Sequence, residues 1–242
     1  MKKEVFTVKE NIGLTPLLNK MILEGNTSEI TKPGQFINIA IDGLYLRRPI
    51  SVYDKDGDSL GIIFKKVGKG TERLGKYQAG EKLDILTGLG NGYDTALSGP
   101  NPLLLGGGVG IPPLYYLAKN LISEGKNVTV IMGFNTKGEI FCEEEFKALG
   151  CDLIITTVDG SRGIKGFVTD AMDIDYSYFY TCGPEPMLKA VFKKSRTEGQ
   201  FSFEERMGCG FGACMGCSLK TVTGYKRICK DGPVLKKEEI LW

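Results

Sequence analysis

The sequence predicts an antiparallel β-barrel, then an α/β domain built on a parallel sheet, then a small C-terminal module carrying cysteines. Three observations predict this order. The first hundred residues read as short strands with turn punctuation, strands and helices alternate from about residue 103, and four of the seven cysteines crowd between positions 209 and 229.

Apolar-rich or alternating runs occur at 4–9, 17–23, 35–41, 47–53, 60–67 and 82–86, with turns marked by Pro33-Gly34, Asp56-Gly57 and Ala79-Gly80. Short strands at this spacing suit an antiparallel barrel or sandwich, with a helical turn near 71–77. The pattern changes at Ser98-Gly99-Pro100-Asn101-Pro102, which reads as a linker. Beyond it Leu103-Leu104-Leu105 leads into glycines, and 112–123 is apolar at helical spacing. Strands follow at 128–133, 153–158 and 178–182, with helices at 139–149 and 185–194, so the sheet is parallel with helices on both faces. After about residue 203 the chain is too irregular to supply its own core, and a bound metal is expected to order it. The expected domains are 1–98, 99–202 and 203–242.

Composition narrows the function. Hydrophobic content of 42% and charged content of 25% are ordinary for a globular chain, and the net charge of +2 offers no basic stripe for nucleic acid or an anionic membrane. No run approaches ~20 apolar residues and the N-terminus lacks a signal-peptide pattern, so a cytoplasmic location is expected. Histidine is absent, which removes His-based triads and His-ligated zinc or haem. An odd cysteine count without a secretory signal argues against a disulfide framework.

The segment from Cys209 through Cys214 to Cys217 has C-x4-C-x2-C spacing, and Cys229 follows after eleven residues. That is the plant-ferredoxin ligand order for a [2Fe–2S] cluster. Gly208, Gly210, Gly212 and Gly216 lower the steric cost of wrapping backbone around a cluster and leave amides free for its sulfurs. The competing reading is a four-cysteine zinc site, but such sites usually pair their cysteines closely and Cys229 has no near partner. Cys142 and Cys151 read as small core residues.

Two further segments suggest phosphate binding. Gly68-Lys69-Gly70-Thr71 is placed to present amides at a short helix, and Gly106-Gly107-Gly108-Val109-Gly110 lies between a strand and a helix. The second does not satisfy G-x-G-x-x-G, because Ile111 takes the third glycine's place. Asn135, Thr136 and Lys137 close the next strand where a ribose-binding acid would stand. The order Arg48-Pro49-Ile50-Ser51, Gly68-x-Gly70-Thr71, Gly106–Pro113 and Cys182-Gly183-Pro184-Glu185-Pro186-Met187 resembles the ferredoxin–NADP reductase superfamily over about residues 1–200. The resemblance implies a barrel that binds FAD through Arg48, Pro49, Ile50, Ser51, Ile63, Phe64, Lys65, Gly70 and Thr71. It implies a nicotinamide-binding domain in which Gly107, Gly108, Val109 and Gly110 take the dinucleotide phosphates, with Cys182, Gly183 and Pro184 near the nicotinamide. Ile50 departs from the usual R-x-Y-S, where an aromatic often stacks on the flavin.

The ending Arg227-Ile228-Cys229-Lys230-Asp231-Gly232-Pro233-Val234, with Glu205-Arg206-Met207-Gly208-Cys209-Gly210, extends the match to the whole chain. It closely resembles the electron transfer subunits of bacterial dihydroorotate dehydrogenase B. That resemblance implies a partner catalytic subunit with its own FMN, in a heterotetramer of two of each. Electrons would pass from that FMN through [2Fe–2S] and FAD to NAD+, in de novo pyrimidine (UMP) synthesis. No catalytic residue for the pyrimidine is found in this chain. The alternatives are an NAD(P)H–ferredoxin-type reductase, or a flavin subunit of a hydrogenase, bifurcating or sulfide dehydrogenase complex. In the flavin subunits of NADH-dependent ferredoxin–NADP oxidoreductase and sulfide dehydrogenase an Asp replaces the first cysteine ligand. Tyr115 and Tyr116 are expected on their helix's buried face rather than at a flavin. Lys137 would favour NADP only if it met a 2′-phosphate, and NAD is the expected cofactor.

Overall fold

Six strands close on one another at the N-terminus: β1 (Lys2–Gly13), β2 (Leu18–Glu24), β3 (Phe36–Ile39), β4 (Arg48–Asp56), β5 (Ser59–Lys65) and β6 (Lys82–Leu89). They form a closed antiparallel barrel in the order β1-β2-β5-β4-β3-β6, in a computed structural model that describes residues 1–242. Period-two patterning explains the closure. Along β6 every second residue is buried, and Phe6, Met21, Ile37, Val52, Ile62 and Phe64 fill the interior. The short helix α1 (Lys69–Leu74) seats Leu74 in that core, and the Asn11 side chain holds its end by donating to the carbonyls of Leu74 and Tyr77.

The second domain alternates as expected: β7 (Pro102–Gly107), α2 (Pro112–Ser123), β8 (Thr129–Phe134), α3 (Glu143–Ala148), β9 (Asp152–Thr157), β10 (Ile164–Lys165), β11 (Tyr178–Cys182), α4 (Glu185–Lys194) and β12 (Gly199–Ser202). The helix expected over 139–149 begins only at Glu143. Phe141 and Cys142 are buried, Phe141 edge-on to Phe134 at 5.7 Å, and Cys142 takes φ +61 to turn the chain into the core. The three glutamates Glu143, Glu144 and Glu145 then occupy the first turn, where the helix dipole favours acids.

The C-terminal segment does not stand apart. Its hairpin, β13 (Ser218–Thr221) with β14 (Gly224–Arg227), is separate, but β15 (Val234–Lys236) pairs antiparallel with β12. The sheet is therefore seven-stranded, in the order β10-β9-β8-β7-β11-β12-β15. Leu105, Phe179, Phe201, Ile228, Cys217 and Cys229 share one buried cluster. Truncating Phe201, which is fully buried, would cost roughly 3–5 kcal/mol and loosen the cysteine module together with the sheet.

Barrel and sheet meet along a packed seam. Tyr53 of β4 stacks on Tyr115 of α2 with centroids 4.5 Å apart, and Lys119 Nζ lies 2.9 Å from Asp54 Oδ1. The fully buried Tyr93 donates its hydroxyl to the Thr181 carbonyl at 3.2 Å. Tyr115 and Tyr116 thus face the barrel, Tyr116 against its core, rather than the sheet beneath their own helix. No helix is long and apolar enough to cross a membrane.

Candidate redox site

The four crowded cysteines fall into two neighbouring pairs. The Cys214 amide donates to Cys209 Sγ and the Cys229 amide to Cys217 Sγ, so each pair is joined by its own backbone contact. No three metal-binding side chains converge on a single ion position. Two pairs fit two irons holding two thiolates each better than one zinc tetrahedron. Backbone amides already address the sulfurs. Phe211, Ala213 and Cys214 donate to Cys209 Sγ at 3.5, 3.2 and 3.5 Å, and Cys229 donates to Cys217 Sγ at 3.4 Å. Burial opposes the Cys209 thiolate, yet these amides and the Cys214 thiol outweigh it and hold the thiol down at about 6. Around Cys229 burial, reinforced by Cys217, pushes the thiol up to about 12, so only a positive partner such as iron would ionise it at neutral pH.

The glycines give the loop its shape. Gly210 and Gly212 take φ +80 and +91, which side chains rarely adopt, and a Cβ on Gly212 would overlap the Lys230 side chain. Arg227 joins the two ligand segments: its Nη1 donates to the Gly212 carbonyl at 3.0 Å while its Nε meets Asp231 Oδ2 at 3.0 Å. The guanidinium holds the Asp231 carboxyl below the usual carboxylate range. Asn91 ties the segment after Cys229 to the barrel, donating to the Val234 carbonyl at 2.7 Å and accepting from the Val234 amide at 3.1 Å.

At the barrel, Arg48 lies half-buried over Gly70, where an added Cβ would sit 2.7 Å from the guanidinium Cζ. The cradle depends on that missing side chain and offers a guanidinium with nearby amides to a diphosphate. Thr71 holds the loop, accepting from the Val67 amide at 3.0 Å and donating to the Gly68 carbonyl at 3.2 Å. Pro49 and Ser51 pair with Asn38 and Phe36 of β3. Ile50 pairs with the interior residue Ile37 and packs on the barrel core, Phe64 points into that core, Ile63 packs at the seam, and Lys65 is exposed. Of the stretch 63–65, the Phe64 side chain is therefore unavailable to a ligand, leaving its backbone.

The glycine loop and the Cys182 turn are brought together. A Cβ on Gly110 would stand 2.6 Å from Gly183 Cα, and one on Gly107 would meet Met187 and Pro184. Gly108 takes φ +51 in the turn, and Val109 is exposed beside it. Burial pushes the Cys182 thiol up to about 12, keeping it neutral. At the tip of β8 the Glu139 carboxylate folds back to accept from the Asn135 amide and side chain at 3.2 and 2.9 Å. This acid, four residues past the expected place, was hidden by the turn that returns it there. Asn38, Asn91 and Tyr93 carried no motif, and only the fold reveals their ties between domains.

A flavin-reductase barrel joined to a nicotinamide-type α/β domain, with paired thiols packed against both, defines an oxidoreductase of the ferredoxin–NADP reductase superfamily with an iron–sulfur module. Residues 204–241 match the family described as the iron-sulfur cluster binding domain of dihydroorotate dehydrogenase B, and residues 104–193 match the oxidoreductase NAD-binding domain. The dihydroorotate dehydrogenase B (NAD(+)) electron transfer subunit of Geobacillus sp. (strain WCH70) is 42% identical over 256 residues, covering 100% of this chain and 99% of the relative. That of Fusobacterium nucleatum is 42% identical over 257 residues, covering 99% of each. Among solved structures, an NADH-dependent reduced ferredoxin–NADP oxidoreductase superposes with TM-score 0.89 at 30% identity, covering 98% of this chain and 90% of that one. A ferredoxin NADP+ reductase from Neisseria gonorrhoeae, with TM-score 0.69 and 17% identity over 80% of this chain and 90% of that one, shares the barrel-and-sheet fold. The chain belongs to the family of dihydroorotate dehydrogenase B electron transfer subunits.

Proposed function

We propose that this chain carries electrons from the FMN of a dihydroorotate-oxidising catalytic subunit to NAD+, in pyrimidine synthesis. Its own carriers are a [2Fe–2S] cluster on Cys209, Cys214, Cys217 and Cys229, and FAD on the 1–98 barrel. The nicotinamide dinucleotide binds the 99–202 domain, and 203–242 forms the cluster module. When bound, flavin exchanges hydride or single electrons and the cluster single electrons, so the pair converts between the two kinds of traffic. Arg48 and Gly70 bind the flavin diphosphate, with Thr71 holding their loop, and Pro49, Ile50, Ser51, Ile63 and the backbone of Phe64 and Lys65 form the rest of that site. Gly107, Gly108, Val109 and Gly110 take the dinucleotide phosphates, with Cys182, Gly183 and Pro184 packed beside them near the nicotinamide. The chain works in the cytoplasm with two copies of each subunit in the complex; all seven of its cysteines are unpaired, as suits a reducing compartment.

The observation that carries this reading is that one ligand pair is buried beside the barrel face next to β4: Cys217 and Cys229 share a buried cluster with Phe36 of β3. Anaerobic purification with iron, sulfide and flavin analysis tests it. Iron and sulfide in equal amounts, with flavin at half that amount, is the expected result; stoichiometric zinc without colour would overturn it. The 30% identity to an NADH-dependent reduced ferredoxin–NADP oxidoreductase favours a second reading, a subunit of a bifurcating complex. Co-purification from the native cell separates the two, and Cys209 in the first ligand position supports the first.

A further inference from the structure

Asn38 lies on β3 directly opposite Pro49 of β4 and is 2% exposed. Its neighbours Ile37 and Ile39 fill the barrel, whereas Phe36, two residues earlier, packs outside with Cys217 and Cys229. The Asn38 side chain shares that outer face, and its Nδ2 donates to the carbonyl of Cys209 at 3.3 Å. The contact is shaped from both sides. Gly210, at φ +80, leaves room that a Cβ would fill, overlapping the Asn38 amide with Cγ at 3.3 Å. On the barrel side, Arg47 Nη1 donates to the Asn38 carbonyl at 3.3 Å, while its Nη2 reaches Asp84 Oδ1 at 2.7 Å. Asn38 Oδ1 is buried with no donor in the chain. An aliphatic side chain would fill the space without orphaning an oxygen, so the amide serves the bond it makes.

We propose that Asn38 is a positioning residue for electron transfer: it ties the Cys209 ligand loop to the strand bonded to β4, and so fixes the gap between cluster and flavin. The proposal rests on the reading of this chain as a carrier of both groups. A wild-type chain that purifies without flavin or iron would sink that parent reading; the tests below address only the tether.

The loaded full-length chain is mixed anaerobically with NADH in a stopped-flow instrument. In the first phase NADH is oxidised and its hydride reduces the flavin by two electrons; in the second, one of those electrons passes to the oxidised cluster. Asn38→Asp keeps the shape but replaces the donor with an oxygen facing a carbonyl. Gly210→Ala disturbs the same contact from the other side. Asn38→Asp is expected to leave the first phase unchanged, and both variants to slow the second at least ~10-fold and alter the reduced cluster's electron paramagnetic resonance spectrum. Asn91→Ala, which cuts the other tie of the C-terminal segment, is expected to leave the second phase unchanged, separating a tuned gap from general loosening. A second phase and spectrum unchanged in both Asn38→Asp and Gly210→Ala would overturn the proposal. Loss of iron from both would overturn it too, by making the contact a requirement for holding the cluster rather than for placing it.

Discussion

At the residue scale, function depends on side chains that are missing as much as on those present. Gly110 lets the Gly183 backbone approach where a Cβ would stand 2.6 Å from its Cα. Gly110→Ala must therefore shift one of the two loops, an overpacking cost of about 1–3 kcal/mol. The expected outcome is a raised KM for NADH with flavin and iron contents unchanged; an unaltered KM would remove the loop from the nucleotide site. Arg48→Ala should do the reverse, emptying the flavin site while iron stays bound, as read from the absorbance spectrum and metal analysis. The buried thiols give a pH dependence. Burial pushes the Cys142 and Cys151 thiols up to about 12. Unfolded thiols ionise near ~8.5, so the folded state keeps protons that the unfolded state loses. That contribution is fully present below about pH 8.5 and is lost as pH rises toward 12, by up to ~1.4 kcal/mol per pH unit for each thiol. Urea unfolding at pH 8 and pH 10 checks this: Cys151→Ala should lose less stability between the two than wild type.

At the scale of elements, the sequence was legible wherever one strand or helix reports on itself. All six barrel strands and the helix over 185–194 read correctly from apolar runs and turn punctuation, which each segment carries within itself. Elements whose identity depends on distant partners were not legible. β15 is three residues that become a strand only by pairing with β12, and α3 starts late because Phe141 and Cys142 turn into a core that the local sequence does not announce. The candidate site divides the same way. The ligand spacing and glycine loops that are proposed as sites are local patterns in the sequence, whereas Asn38, Asn91 and Glu139 act across turns or domains. Glu139 illustrates the consequence: no acid closes β8 in sequence, yet a carboxylate sits at its tip, bonded to Asn135. An acid there accepts a ribose hydroxyl and repels a 2′-phosphate. Glu139→Gln should accordingly lower the preference for NADH over NADPH by about tenfold in kcat/KM, one charge contact being worth roughly 1–3 kcal/mol. An unchanged ratio would assign the discrimination to other residues, such as Lys137.

At the scale of the whole molecule, the cluster module is packed inward on sheet and barrel but presents apolar side chains outward. Phe211 and Met215, both inside the ligand loop, are 42% and 54% exposed, and Val222 and Tyr225 on the hairpin are 60% and 71% exposed. Cys214, between the first two, is itself exposed. A cluster that exchanges single electrons with a partner's cofactor must approach it closely, and exposed aromatic and methionine side chains are the types enriched where protein surfaces associate. Under the proposed function the same surface would serve both docking and electron exit. Met215→Glu places a charge at its centre, where a buried unpaired charge is expelled from an interface. The expected outcome is dissociation from the catalytic subunit on size exclusion, with NADH still reducing the flavin at the wild-type rate, since Met215 touches neither the Arg48 cradle nor the glycine loop. Hydrogen exchange on the intact complex should protect 209–217 and 222–225 relative to the free chain. Protection confined to 110–170, with Met215→Glu still assembled, would place the partner on the nucleotide domain and leave the cluster without a short route outward.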